Sequence, residues 1–108
     1  MATVYKVLGQ VKPVATTATT LYTVPAATST VCSTLSICSI GASTTYRVAI
    51  RPAGAILADI HYIVYEAAIS QYTTTLLTLG ITLAATDVVT VYAGTANVVF
   101  NLYGSEVT

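Results

Sequence analysis

One histidine, two cysteines and four carboxylates are the residues of this chain best suited to chemistry. Cys32 or Cys38 facing His61 would make a thiol–imidazole dyad, in which the ring takes the thiol proton and leaves a nucleophilic thiolate. His61, however, stands in an alternating stretch beside Tyr62 and Tyr65, where it reads as a packing or sheet-edge residue. Asp59 and Glu66 could form an acid–base pair. Seven positions apart, they face opposite sides of an extended strand and read as a loop aspartate and a solvated strand residue. Asp87 precedes a valine run and reads as a turn cap. A single histidine cannot build a His-rich metal cage, and no zinc-ligand spacing, phosphate loop, dinucleotide fingerprint, calcium loop or nucleophile elbow occurs. The expectation is a non-enzyme with no catalytic, cofactor-binding or metal-binding residue, and no cofactor.

The eight tyrosines, at positions 5, 22, 46, 62, 65, 72, 92 and 103, offer a further chemistry. A tyrosine ring stacks on sugars and also packs protein interfaces, with a hydroxyl as a polar handle. The chain has no tryptophan and few Asp, Asn or Gln side chains to read sugar hydroxyls. The interface reading is therefore the stronger. Cys32 and Cys38 are six apart, which in one uninterrupted strand places them on one face about 20 Å from each other. A disulfide requires Cα atoms within about 7 Å, so two buried free thiols in a reducing compartment are expected.

The elements that position these residues are strands. Of the 108 residues, 55% are hydrophobic and only 7% charged, against about 25% charged in ordinary soluble domains. Threonine, valine and tyrosine suit a pleated sheet, and the length suits one domain, 1–108. Period-2 patterning and turn residues predict about eight short strands, over 4–11, 21–24, 30–40, 44–51, 60–67, 73–83, 88–93 and 98–103. In the third, Val31, Leu35 and Ile37 share one parity and Cys32, Thr34, Ser36 and Cys38 the other. In the fourth, Tyr46, Val48 and Ile50 oppose Arg47, Ala49 and Arg51. His61, Ile63 and Tyr65 oppose Tyr62, Val64 and Glu66, while Leu77, Leu79, Ile81 and Leu83 point inward. Gly80 reads as a point of close backbone approach. Residues 1–20 are expected as an N-terminal arm or edge strand, and 105–108 as a second arm. The fold class is all-β, an antiparallel β-sandwich with jelly-roll character.

Zero net charge removes the basic footprint that nucleic acid requires. No stretch supplies the ~20 apolar residues of a membrane helix, and the first residues show neither a basic nor an apolar signal region. Synthesis in a cytoplasm, without membrane or nucleic-acid partners, is expected. With so few charges, the surface left after folding is mostly Thr, Ser, Ala, Tyr and Val, a liability for a free monomer. A homo-oligomer, drawn as a cyclic trimer, is expected to cover it.

Several strings carry a resemblance: Leu21-Tyr22-Thr23-Val24-Pro25-Ala26, Tyr46 to Ala55, His61-Tyr62-Ile63-Val64-Tyr65, Leu79 to Ala93 and Asn101 to Glu106. Over roughly residues 20–106 the chain resembles the small all-β virion proteins of tailed bacteriophages, including those of cyanobacteria. The resemblance implies a β-sandwich subunit on the outer surface of the head, a cement or decoration protein bridging copies of the major capsid protein. Neck, tail or fibre membership, with glycan or receptor binding through loops such as Pro52-Ala53-Gly54 and Gly94-Thr95-Ala96, is the alternative it implies. The family brings no catalytic residue to carry over.

Overall fold

Alternating branched and small side chains produce eight strands in a computed structural model that describes residues 2–108. They are β1 (Thr3–Val11), β2 (Thr19–Thr23), β3 (Ser29–Ser39), β4 (Thr44–Arg51), β5 (Tyr62–Ile69), β6 (Thr74–Leu83), β7 (Val88–Ala93) and β8 (Val98–Val107). Two antiparallel sheets form, in the orders β1-β8-β3-β6 and β2-β7-β4-β5. The chain changes sheet at every connection except β4 to β5. That interleaving is the jelly-roll form of the β-sandwich.

Between the sheets Leu35, Ile37, Val48, Val91, Val98, Phe100 and Leu102 lose all solvent contact. Tyr46 of β4 meets Phe100 of β8 edge-on, ring centroids 6.3 Å apart, and so joins the two layers. Inward and outward faces in β4 follow the expected parity, with Tyr46 and Val48 buried and Arg47 and Arg51 on the outer side. In β6, Leu77, Leu79, Ile81 and Leu83 turn inward as the alternation requires.

Corners are held by local hydrogen bonds. Asp87 accepts from the Ala84 amide and from the Ala53 amide, both at 2.9 Å, so one carboxylate caps its own turn and fixes the Pro52–Gly54 turn. The β2–β3 and β6–β7 corners exchange backbone bonds, Val24 N to Asp87 O and Thr86 N to Val24 O. Pro25 ends β2 because it has no amide to donate.

Several expectations are corrected. β3 is bulged between Cys32 and Thr34, and a bulge adds a residue that reverses the facing of everything beyond it. Thr30 and Cys32 therefore point inward with Leu35 and Ile37, while Val31 is exposed. For the same reason Cys32 is buried and Cys38 only half-buried, although both are free thiols. Glu66 sits at φ +53° in β5, and the irregular register there throws it outward beside Tyr65. His61 closes a 3-10 turn (Asp59–His61) ahead of β5 instead of lying in it. Gly80 has φ +60° and open space where a Cβ would stand, so its glycine serves conformation, not close approach. Finally, the segments expected as arms are largely ladder: Thr3 pairs with Val107, and Ala2 and Thr108 exchange both backbone hydrogen bonds. β1 is thus an edge strand, the second of the two forms expected for residues 1–20; Met1 lies outside the described residues.

Candidate interaction surfaces

The residues singled out for chemistry are dispersed. Cys32 is sealed between the sheets, and burial pushes its thiol up to about 11, the reverse of what a nucleophile needs. His61 stands at the edge of the other sheet, and its Nδ1 accepts the Ala58 amide at 3.0 Å. Among the described residues no three His, Cys, Asp or Glu side chains group as metal ligands.

On the outer face of β2-β7-β4-β5, one arginine organises a cluster. The Arg47 guanidinium lies 4.1 Å from the Tyr92 ring centroid and 4.5 Å from that of Tyr65. Its Nη2 donates to Glu66 Oε1 at 3.0 Å, and Thr45 Oγ1 donates to Glu66 Oε2 at 2.9 Å. The arginine hydrogen bond, followed by the threonine one, holds the exposed Glu66 carboxyl below the usual carboxylate range. The Glu66 bulge makes this contact: it sets Tyr65 and Glu66 next to each other on one face, where an unbroken strand would separate them. Tyr62 packs edge-on to Tyr65 at 5.0 Å, and with Asp59 these two line an open cleft of about 460 Å³.

The outer face of β1-β8-β3-β6 is different in kind. Lys6 and Glu106 are the only charged residues in its four strands, and they pair with each other at 2.9 Å. Glu106 is mostly covered, and its Oε2 accepts the Tyr22 hydroxyl at 2.5 Å; the Tyr22 hydroxyl oxygen also meets Thr30 Oγ1 at 2.8 Å. What remains outward is a neutral surface of tyrosine, valine, serine and threonine. Tyr5, Val7, Val31 and Tyr103 are exposed there, Tyr5 at 84%. With Lys6, Ser33, Gly104 and Ser105 they line a shallow groove of about 580 Å³ across β1, β8 and β3.

Strand alternation alone cannot reveal that face. Lys6 and Glu106 are a hundred positions apart, and only the β1–β8 ladder, with Lys6 opposite Gly104 and Val4 opposite Glu106, brings them together. The class of protein defined by this geometry is an eight-stranded jelly-roll β-sandwich with one charged and one neutral outer face. No family model, curated protein or solved structure matches the chain.

Proposed function

We propose that this chain is a structural subunit of a tailed-bacteriophage virion, a cement protein that lies on the outside of the head and bridges copies of the major capsid protein. It acts as a homo-oligomer, drawn as a trimer, and performs no catalysis. The observation that carries the reading is the outer face of β1-β8-β3-β6, where Tyr5, Val7, Val31 and Tyr103 are exposed and the one charge beside them, Lys6, is paired with Glu106. Exposed tyrosines on a face poor in charge suit the core of a protein interface. The sequence resemblance to phage virion proteins supplies the setting.

Mechanically, each copy covers a joint between capsid subunits and adds a modest association energy, which repetition over a shell multiplies. The test is thermal rupture of heads from which the protein has been stripped. Rupture at a lower temperature, restored by adding the protein back, is expected; unchanged rupture refutes the cement role.

A second reading rests on the Asp59–Tyr62–Tyr65 cleft. An aromatic wall beside a carboxylate is the chemistry that holds a sugar, and it favours a neck, tail or fibre component that touches host glycans. Labelled protein concentrated at one vertex, together with a positive glycan array, would select it over the head.

A further inference from the structure

The two ends of the sandwich are closed to different degrees. At the end formed by β1 and β2, the inward residues Leu8, Leu21 and Tyr22 are buried to 9% exposure or less. At the end formed by β5 and β6, the inward residues Val64, Ala67, Leu77, Leu79 and Ile81 pack on the core but stay half-exposed. The core is therefore open along one side, between two edge strands.

Of the four edge strands, β6 is the longest and carries neither charge nor proline, although its ladder with β3 shifts register at Leu79 and Gly80. β1 carries Lys6, β2 has only five residues and runs into Pro25, and β5 is bulged at Glu66. Lysines, short edges, proline and bulges are the usual means of blocking strand addition. β6 has ten residues with no charge and no proline, and it is paired on one side alone, with β3.

We propose that this open side, made of the β6 edge and the half-exposed row Leu77, Leu79 and Ile81, is where a second copy of this chain docks. The inference deepens the homo-oligomer reading above and rests on it. Two arguments favour a second copy. The rim is electrically neutral: β6 has no charge, and the one charge on β5, Glu66, is neutralised by Arg47 of its own chain. Two such rims meet without like-charge repulsion, and a contact of one rim with its own copy closes at two, so this docking makes a dimer in place of the trimer drawn above. The area also fits. A ten-residue strand is about 33 Å long, and two sheets about 10 Å apart with their side chains are about 20 Å wide. The resulting footprint of about 650 Å² approaches the ~800 Å² per partner of a standard stable interface.

The test measures mass in solution by sedimentation at about 10 μM, with far-UV circular dichroism as the check on folding. Wild-type protein is expected as an oligomer. Leu79→Lys, and the double variant Thr78→Lys with Thr82→Lys on exposed edge positions, are expected to run at the 11.2 kDa monomer mass with an unchanged β spectrum. Val14→Lys, in the exposed β1–β2 connection away from both surfaces, is expected to leave the oligomer intact. Should Leu79→Lys fail to fold, the double variant decides. An oligomer that survives the threonine substitutions overturns the β6 site while leaving self-association standing. A monomeric wild type overturns both.

Discussion

At the residue scale, the Tyr22–Glu106–Lys6 group shows how a protein with few charges uses one. Glu106 lies below the usual carboxylate range because the Tyr22 hydroxyl and then Lys6 donate to it. Tyr22 is raised, first by burial and then by the same carboxylate. The signs are opposite and so are the consequences for stability. A depressed Glu106 contributes stability above its unfolded value of about 4.3, lost as pH falls through the folded value; a raised Tyr22 contributes below about 10, lost as pH rises beyond it. Chemical denaturation across pH should thus show a plateau falling away at both ends. Glu106→Gln should shallow the acid limb without abolishing it, since Glu66 is depressed in the same range. Tyr22→Phe strips a hydrogen bond from a carboxylate and from buried Thr30, and should cost about 2 kcal/mol, read as a fall in Tm of about 4–8 °C per kcal/mol. None of this network was legible in the sequence, where Tyr22 and Glu106 look like an ordinary strand tyrosine and a tail residue. Asp87, which acts on its immediate neighbours, was legible because turn capping is local.

At the element scale, period-2 patterning located all eight strands, and the bulges it missed account for most of the misassigned faces. Alternation is counted residue by residue, so one extra residue at Ser33 or Glu66 inverts each face downstream. That is why Val31 is exposed and Cys32 is not. The glycines make the same point. Alternation marks Gly80 as a site of close approach, yet the most crowded glycine is Gly104, where a Cβ would collide with the Val31 carbonyl of the adjacent strand. Gly104→Ala should therefore destabilise more than Gly80→Ala. The first must push two central strands, β8 and β3, apart, whereas the second bears only backbone strain of about 1 kcal/mol at φ +60°. Paired urea titrations rank the two, and a larger loss at Gly80 would contradict the structure.

At the scale of the whole molecule, the strand order could not be read from turn signals. The corners at Ala26–Thr28 and Ala84–Asp87 look like hairpin turns, yet they carry the chain between sheets, and only β4 and β5 are neighbours both in sequence and in a sheet. Non-local pairing on this scale predicts slow folding, in the millisecond-to-second range. The same interleaving separates charge, gathering Arg47, Arg51 and Glu66 on one sheet and leaving the other neutral outside. Composition announced a scarcity of charge; topology decided which face would lack it. The proposed cement role requires that neutral face to be a contact surface for a capsid. Its most direct test is the binding of purified protein to stripped phage heads, comparing wild type with Val31→Lys and Tyr103→Lys, both exposed positions whose substitution spares the core. Saturable binding in fixed proportion to the capsid subunits, lost in both folded variants, is the predicted result. Absence of wild-type binding, or variants that bind as well as wild type, would contradict it.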